Sequence, residues 1–331
     1  MNRVISFIVL LIFTCACVPK EQVPKVIFDT DLGGDIDDVL AMEMVLNYHQ
    51  SGQVDLLGIT LSMANPMAVQ FVDGYLRFRG FGSSIPIGWV NDTTAPDYRY
   101  LRPTLEASFN DKALLPYEEG VEIRVPDGWK LLRKLLASAP DDSVELLSVG
   151  GLTNIARLMT SCPDEYSPLG GIDLVAAKVH CFHLMNGVFG ENPFPECNTV
   201  ADLPASRIVF EKWPGELVTS GWEIGNMVPY PHESIENDFG EPGSHPLAVA
   251  YCNWGQMPYD RPTWDLTTVF EALEPGQTIF SYSEPGTISL DETGITHFSP
   301  SPAGKHRYLI LDENRKQEAV AALVKQVTNN R

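Results

Sequence analysis

Residues 25–42 read KVIFDTDLGGDIDDVLAM, and this stretch decides the fold. An apolar run typical of a buried strand comes first, five aspartates follow within positions 29–38, and a helical pattern starts at VLAM. Carboxylates this close together repel one another and resist burial unless a cation or a reaction uses them. In open parallel sheets, ligands bind where strands end and loops lead into helices. The stretch therefore predicts an acidic functional site directly after the first strand.

The rest of the chain alternates strand-like and helix-like segments. The first part gives a β-α-β-α-β pattern of VIFD, DDVLAMEMVLNYH, VDLLGITLS, PMAVQFVDGYLRFRG and IPIGWV, and the alternation resumes at residue 128. This pattern predicts an α/β fold with a mainly parallel central sheet flanked by helices. Residues 278–311 predict a small antiparallel C-terminal addition, which a last helix over 312–327 closes. No linker divides the region 25–331, so we expect one domain there.

Composition and charge narrow the classes of partner. The chain has 331 residues, of which 44% are hydrophobic, and this is enough to bury a large core. Its 43 acidic residues against 23 basic ones give a formal net charge of −20. That balance disfavours nucleic acids and anionic membrane surfaces. We therefore expect a small-molecule substrate or a cation, and no nucleic-acid partner.

The N-terminal segment predicts export. Arg3 precedes an apolar run over 4–14 that is too short for a permanent membrane span. Ala16 before Cys17 resembles the cleavage and lipidation site of bacterial lipoproteins, while a plain secretory signal is the alternative. We expect residues 1–17 to hold the signal peptide and the lipidation site, Cys17. The lipid would then be the chain's only membrane contact, at the outer membrane or in the periplasm of a Gram-negative bacterium.

The cysteines that follow the signal show no spacing typical of a zinc site or a disulfide framework. We expect them to be buried thiols or to form one incidental bridge. They are Cys162, Cys181, Cys197 and Cys252.

Two other motifs with clustered aspartates fit less well. An EF-hand loop counted from Asp29 needs an oxygen ligand at its fifth position and a glutamate at its twelfth, where this chain has Gly33 and Leu40. A haloacid-dehalogenase-type phosphatase begins with a strand and DxDx(T/V), but Gly33 stands at the fifth position here as well. A plain solvated acidic loop is the remaining alternative.

Five segments, in the same order, resemble the inosine–uridine nucleoside hydrolase family. FDTDLGGDIDDVLAM resembles the family's DxDxGxDDAxA signature, with two extra residues here. The family's later signature segments are similar to four segments of this chain: GITLSMAN, LLSVGGLTNIA, LMNGVFGENPFPECNTVAD and TWDLTTVFEAL. The five matches together span residues 25–273. The resemblance implies a calcium-dependent enzyme that hydrolyses the N-glycosidic bond of ribonucleosides and releases free base and ribose.

The resemblance also implies roles for individual residues. Asp31 would be the general base and a Ca²⁺ ligand, and Asp29 would orient it from behind. The other protein ligands of the ion would be Asp38, the main-chain carbonyl of Val149 and Asp265. Ribose-binding roles are implied for Asp37, Asn65, Asn192, Glu196 and Asn198. Asp35 and Glu223 receive no role.

One departure from the family pattern bears on the preferred base. Trp264 stands where inosine–uridine-preferring members carry a histidine that helps the base to leave. Purine-preferring members resemble this chain instead, with a tryptophan stacked on the base. Trp89, at the end of the third predicted strand, would be the second face of the stack, with a core aromatic as the alternative. His183 is a candidate polar neighbour, although a structural role for it is favoured.

Two further functions stay open at this point. The same fold could hydrolyse another glycoside, or the protein could bind a nucleoside or ribose without turnover. The intact aspartate set argues against the second of these. The partners we expect are a nucleoside substrate and, at most, a second copy of the chain in a homodimer.

Replacing Cys17 tests the predicted location. The mature wild-type chain should begin at Cys17 and fractionate with membranes, because acyl chains on that residue are the expected anchor. A Cys17→Ser protein should move to the soluble fraction on immunoblots of fractionated cells. Cys162→Ser is the matched control and should stay with the membranes. Membrane fractionation of the Cys17→Ser protein would contradict the lipoprotein prediction.

Overall fold

A computed structural model describes residues 23–92, 99–116 and 124–329. The predicted signal peptide and lipidation site, Cys17, lie outside the described residues. The strands are β1 (Lys25–Thr30), β2 (Asp55–Leu61), β3 (Ile87–Trp89), β4 (Ser108–Phe109), β5 (Lys112–Ala113), β6 (Val144–Ser148), β7 (Val179–Met185), β8 (Glu216–Ser220), β9 (Pro229–Tyr230), β10 (Arg261–Pro262), β11 (Phe280–Tyr282), β12 (Gly286–Leu290), β13 (Thr296–Pro300) and β14 (His306–Leu311).

Helices alternate with these strands along most of the chain. They are α1 (Asp37–Gln50), α2 (Pro66–Phe78), α3 (Leu101–Leu105), α4 (Gly128–Ser138), α5 (Thr153–Met159), α6 (Gly171–Lys178), α7 (Cys197–Ala201), α8 (Leu203–Lys212), α9 (Trp222–Met227), α10 (His232–Asn237), α11 (Pro246–Trp254), α12 (Trp264–Leu273) and α13 (Lys316–Thr328), with a 3-10 helix at Glu313–Arg315. No helix in the described part of the chain is long and apolar enough to cross a bilayer.

A ten-stranded sheet organises these elements. Its order is β13-β12-β14-β8-β7-β6-β1-β2-β3, with β11 beside β14. The run from β14 to β3 is parallel throughout, whereas β11, β12 and β13 pair antiparallel. The predicted α/β class, with its mainly parallel sheet and antiparallel C-terminal addition, is confirmed. One detail differs from the prediction, since β14 extends the parallel part of the sheet beside β8.

Helices cover both faces of this sheet, and each face has its own apolar core. Along β1, Val26 and Phe28 belong to one core and Ile27 to the other, because successive side chains of a strand point to opposite faces. The first core includes α1, which packs against α12 and α13. The second core lies under α4, α5 and α8. Strands β1 and β6 are thus fixed from both sides, and so are the loops that follow them.

The four cysteines of the described residues are free thiols. Three of them are exposed and Cys181 is half-buried, so the expectation of buried thiols or a bridge is corrected. The reason is their placement on separate elements, since Cys181 lies in β7, Cys197 begins α7 and Cys252 lies in α11.

A buried histidine in β14 generates a prediction about stability and pH. His306 is 6% exposed, and its Nδ1 accepts a hydrogen bond from the Ile288 N–H at 3.0 Å. Burial lowers the pKa of His306 to about 4, from an ordinary value of about 6.5. The unfolded chain therefore takes up this proton at a higher pH than the folded protein does. The stabilising contribution is complete above pH ~6.5 and is lost as the pH falls toward ~4.

We expect His306→Asn, whose Oδ1 can still accept from Ile288, to flatten part of this dependence. The free energy of unfolding, measured with urea at a series of pH values, should fall less between pH ~6.5 and ~4 than it does for the wild type. The exposed His297 on β13 provides the control His297→Asn, which should keep the wild-type slope. Equal slopes for wild type and His306→Asn would contradict this account.

Candidate active site

A cavity of about 400 Å³ opens at the carboxyl ends of β1, β6 and β7. Parallel neighbouring strands bring their following loops together at one edge of the sheet, as expected for a ligand site in this class of fold. The cavity is lined by most of the residues to which the sequence analysis gave roles: Asp31, Asp37, Asp38, Val149, Glu196, Asn198, Trp264 and Asp265.

Two glycines shape the backbone around the acidic cluster. Gly33 adopts a φ of +120°, which side-chain-bearing residues rarely reach, and so the chain can turn between β1 and α1. A Cβ on Gly150 would lie 2.6 Å from both the Asp31 nitrogen and Ser62 Oγ. The missing side chain at Gly150 therefore lets the loop after β6 approach Asp31 and brings Val149 to the cavity.

Three buried carboxylates form the tightest group at this site. Oxygen atoms of Asp37, Asp38 and Asp265 lie within 4.8 Å of one another, and none of the three residues is more than 4% exposed. Asp37 and Asp38 occupy the first turn of α1, where the helix dipole favours negative charge. The Thr30 hydroxyl donates to Asp38 Oδ1, and the Asp265 N–H donates to Asp37 Oδ2 at 3.2 Å. We call these three residues the carboxylate trio.

The carboxylate trio differs in one member from the ligand set that the resemblance implied. It contains Asp37, which was expected to bind a ribose hydroxyl, whereas Asp31 is half-buried and borders the same cavity. The assignment of Asp31 and Asp37 to metal or substrate stays a prediction.

The electrostatics of the cavity favour a cation. Burial and the charges of nearby carboxylates raise the pKa of each member of the carboxylate trio well above its usual range. The surrounding protein also desolvates Asp31 and, with the charges of Glu196 and Asp35, raises its pKa to about 7. Arg261 is the one basic side chain among the described residues that line the cavity. Since the anionic groups outnumber it, a cation bound here would relieve their repulsion.

The donor atoms around the carboxylate trio suit a hard metal ion. They are mainly oxygens from carboxylates and one carbonyl; no histidine is among the described residues lining the cavity, and Cys197 is the one cysteine among them. The residues that could hold the ion are Asp31, Asp37, Asp38 and Asp265, together with the carbonyl of Val149.

That carbonyl is fixed by a hydrogen-bonded network. Asn198 Nδ2 donates to the Val149 carbonyl at 3.1 Å and to the Met185 carbonyl at 3.2 Å. Glu196 in turn accepts from the N–H groups of Asn198 at 2.9 Å and Thr199 at 3.1 Å, and so caps α7. A carbonyl oxygen has two lone pairs, so the Val149 oxygen keeps one for a metal. The network holds Glu196 and Asn198, two of the five predicted ribose-binding residues, at the cavity wall.

Asp29 lies behind this wall and is fully buried. Its carboxylate accepts from Thr60 Oγ1 at 2.6 Å, Asn154 Nδ2 at 2.9 Å and Ser148 Oγ at 3.0 Å. Burial raises the pKa of Asp29 to about 6, although these three hydrogen bonds act against the rise. The contacts fix the end of β1 against β2, β6 and α5. These contacts fix the backbone that carries Asp31, and the orienting role of Asp29 stays a prediction.

Three residues with predicted substrate contacts lie outside the lining of this cavity. Asn65 caps α2, where its Oδ1 accepts from the Met67 N–H at 3.0 Å. Asn192 lies exposed in the loop before α7. Trp89 is half-buried and packs against the first apolar core. Substrate binding by these three residues stays a prediction, and the observed roles are a helix cap, a surface position and a core aromatic.

Two lining residues were missed by the sequence analysis. Trp222 begins α9, and its ring stacks near that of Trp264, with centroids 6.4 Å apart and an interplanar angle of 27°. Trp264 Nε1 also donates to the Trp222 carbonyl at 2.9 Å. The available signal was the SGWEIG segment, whose tryptophan follows a strand at the carboxyl edge of the sheet.

Arg261 is the second missed residue, and it gives Asp35 a role. Arg261 Nε donates to Asp35 Oδ1 at 2.9 Å, and Nη2 donates to Oδ2 of the same carboxylate. The guanidinium lies over the rings of Trp254, at 4.1 Å, and Trp264, at 5.0 Å. The available signal was a basic residue three positions before Trp264.

Glu223 and His183 lie away from the lining of this cavity. Glu223 accepts from the Phe189 N–H at 3.0 Å and so holds the loop after β7. His183 lies within β7 between two glutamates, in agreement with the structural role favoured for it.

Comparison with known proteins agrees with this geometry. A sequence model of the inosine-uridine preferring nucleoside hydrolase family matches residues 26–327. Among curated protein sequences, none matches the chain significantly. Several solved structures share its fold at low sequence identity.

Three of these structures illustrate the likeness. A plant nucleoside hydrolase, PpNRh1, has a TM-score of 0.66 at 20% identity, covering 93% of this chain and 99% of its own. A purine-preferring ribonucleoside hydrolase from Gardnerella vaginalis has a TM-score of 0.67 at 15% identity, covering 93% and 100%. An inosine-uridine preferring nucleoside hydrolase from Bacillus anthracis has a TM-score of 0.63 at 18% identity, covering 92% and 99%.

The structural likenesses concern the fold, and the family match adds the sequence relationship over nearly the whole described chain. The chain therefore belongs to the inosine-uridine preferring nucleoside hydrolase family, and it is an N-glycosidase that acts on nucleosides.

Proposed function

We propose that this protein is a calcium-dependent ribonucleoside hydrolase that prefers purine nucleosides and is exported with a lipid on Cys17. One observation carries the catalytic part of the proposal. A single cavity combines the carboxylate trio with the indole rings of Trp222 and Trp264. Such a cavity can hold a sugar against hard oxygen ligands while its base lies against aromatic surface.

Calcium is the proposed ion because it accepts six to eight oxygen ligands in flexible geometry. Ribose hydroxyls and water can complete a shell begun by carboxylates and the Val149 carbonyl. When bound, the ion would lower the pKa of a coordinated water and offset the repulsion within the carboxylate trio.

Asp31 is the proposed general base. It borders the cavity beside the carboxylate trio, where its carboxylate can take a proton from the attacking water. The water oxygen bonds to the anomeric carbon of the ribose, and the C–N bond breaks with its electron pair going to the base. Glu196 and Asn198 face the same space and are proposed to orient the ribose hydroxyls.

Departure of the base is assigned to Trp264, Trp222 and Arg261. Stacking on an electron-rich indole favours a protonated base, and a purine offers an imidazole-ring nitrogen that can take the proton. Arg261, paired with Asp35, lies over the Trp264 ring and is proposed to hold that ring in place for stacking. A departing pyrimidine gains less from stacking, so purine nucleosides should react faster.

The first test of the proposal concerns the metal. Asp265→Asn removes one of three mutually repelling carboxylates. Within the described part of the chain, the Asp265 side chain has no hydrogen bond that the change would break. Without calcium, the variant's melting temperature should therefore equal or exceed that of the wild type. With calcium, the wild type should be stabilised much more than the variant, because a ligand that binds only the folded state stabilises it. Thermal denaturation with and without chelator measures both effects.

The control for this test is Asp111→Asn, an isosteric change of an exposed turn residue. It should follow the wild type in both conditions. A calcium response of Asp265→Asn as large as that of the wild type would contradict metal binding at the carboxylate trio.

The second test measures the reaction itself. Purified protein is incubated with purine and pyrimidine ribonucleosides, and free base and reducing sugar are followed. We expect inosine, adenosine or guanosine to be cleaved faster than uridine or cytidine, activity to disappear with chelator, and calcium to restore it. Uridine cleaved as fast as inosine would contradict the purine preference. Cleavage of no nucleoside would favour another glycoside as substrate, and tight binding without turnover would favour a binding protein.

The third test locates the stacking residues. Trp264→Ala should lower kcat/KM for inosine. The decrease should correspond to a loss of about 1–3 kcal/mol in transition-state binding, the range for base–aromatic stacking. Trp222→Ala should cause a similar loss if the Trp222 ring forms the second face of the stack. Trp89→Ala tests the competing prediction from the sequence. A loss at Trp89 with none at Trp222 would assign the second face to Trp89.

A further inference from the structure

A second group of metal-ligating side chains lies outside the active-site cavity. Strands β6 and β7 pair in parallel, with Glu145 opposite Cys181 and Leu147 opposite His183. Residues two apart in a strand share a face, so Glu145, Cys181 and His183 lie together. Their ligand atoms, a carboxylate oxygen, a thiol sulfur and an imidazole nitrogen, lie within 4.8 Å of one another. We call these three residues the thiol–imidazole cluster.

The cluster has a hydrogen-bonded support of the kind that metal-binding histidines need. His183 Nδ1 lies 2.7 Å from Glu271 Oε2, and Glu271 Oε1 accepts from the Tyr282 hydroxyl at 2.8 Å. A carboxylate at Nδ1 fixes the ring orientation and leaves Nε2 as the ligand atom. Nε2 points toward the cluster, since it lies 3.0 Å from Glu145 Oε2.

The cluster is also reachable from solvent. Glu145 lines a cavity of about 540 Å³ at the amino edge of the sheet, together with His180, Asp142 and Lys25. The side chain of Glu145 is 18% exposed, and Cys181 is half-buried. The partial exposure of Glu145 and Cys181 gives an ion access to the cluster.

We propose that Glu145, Cys181 and His183 form a second metal site, which takes a borderline transition-metal ion such as Zn²⁺. One sulfur, one imidazole nitrogen and one carboxylate oxygen are a zinc-type donor set, unlike the oxygen-only set at the carboxylate trio. Tetrahedral bonds of about 2.0–2.3 Å place ligand atoms roughly 3.5 Å apart, so modest side-chain shifts close the cluster onto an ion.

Binding at this site would exchange protons for the metal. The ion replaces the proton that His183 Nε2 shares with Glu145, and the thiol of Cys181 becomes a thiolate, so both protons go to solvent. Glu271 would keep its hydrogen bond to Nδ1 and act as a positioning residue. Because Glu271 belongs to α12, the bound ion would tie β6 and β7 to that helix.

Cobalt(II) is the probe that tests this site, because it occupies zinc sites and reports thiolate ligation through a charge-transfer absorption band. The full chain, reduced and stripped of metal, is titrated with Co²⁺ in the presence of excess Ca²⁺, which prefers the oxygen ligands of the active-site cavity. We expect a thiolate charge-transfer band that saturates at one equivalent and is then abolished by Zn²⁺.

Variants show whether the band belongs to the thiol–imidazole cluster. Cys181→Ser should remove the band, and Glu145→Gln should weaken binding with the band retained at high metal concentration. Glu271→Gln should weaken affinity by about 10–100-fold, as usual for the partner of a metal-binding histidine. Cys162→Ser changes an exposed cysteine in the loop between α5 and α6 and should bind as the wild type does.

Calcium-induced thermal stabilisation, measured on the same samples, shows that each variant is folded. Absence of the band from the folded wild-type protein would overturn the proposal. So would a band that persists in folded Cys181→Ser or that is lost in Cys162→Ser. Binding at the surface group His232, Glu233 and Asp260 would give no thiolate band, since that group has no cysteine.

Discussion

The crowding of carboxylates at the carboxyl end of β1 is the constraint on which the rest of the structure depends. Asp37, Asp38 and Asp265 are buried within reach of one another, and Asp31 borders them. Removing such charges from water costs several kcal/mol per ion when they are not compensated. The single basic residue at the cavity is already paired with Asp35. The site thus requires a cation, or protons in its place, for the native arrangement to be stable.

The fold supplies these carboxylates from distant parts of the chain. Asp37 begins α1, while Asp265 lies 228 residues later, in the first turn of α12. An ion held between them would join the first strand–helix unit of the domain to a helix near its end. Metal binding and folding would therefore be coupled, because the site does not exist in the unfolded chain. The same helix carries Trp264 at its start, so metal ligation would also position the aromatic wall of the cavity.

Helix α12 also connects the two groups of metal-ligating side chains. Its first turn lies at the active-site cavity, and Glu271, about one and a half turns later, supports His183 in β7. Hard oxygen ligands gather at the carboxyl edge, where loops are free to converge. The mixed sulfur, nitrogen and oxygen group is built on the strands themselves, with Glu145 and Cys181 nearer their amino ends. The two groups differ in donor chemistry, so they would select different ions from the same solution.

Local sequence patterns predicted most of the fold, since strand and helix periodicities are properties of short segments. The aspartate cluster was equally readable, because its members follow one strand and open one helix. Contacts between distant loops could not be predicted from the sequence. Arg261 and Trp222 reach the cavity through the packing of α9 and β10, and no spacing in the sequence reports that packing. Cys181 and His183 likewise gain Glu145 only through the pairing of β7 with β6.

Trp89 shows that a shift of one residue along a strand changes the face to which a side chain points. Its neighbour Val90 lines a smaller cavity that also includes Asp31, whereas Trp89 itself packs against the core. Alternation along a strand sends these neighbouring side chains in opposite directions, and base stacking by Trp89 stays a prediction. Asn65 caps α2 through its Oδ1, and its predicted contact with the ribose stays a prediction.

The central claim is that this acidic cavity holds one calcium ion while Asp31 takes the proton from water. Comparing Asp31→Asn with Asp37→Asn tests it most directly, with calcium affinity and single-turnover cleavage of inosine measured on the same samples. The account predicts that Asp31→Asn abolishes cleavage far more completely than it weakens calcium binding, because the amide keeps one ligand oxygen but cannot accept the proton. Equal losses of cleavage in the two variants, or full cleavage by Asp31→Asn, would contradict it.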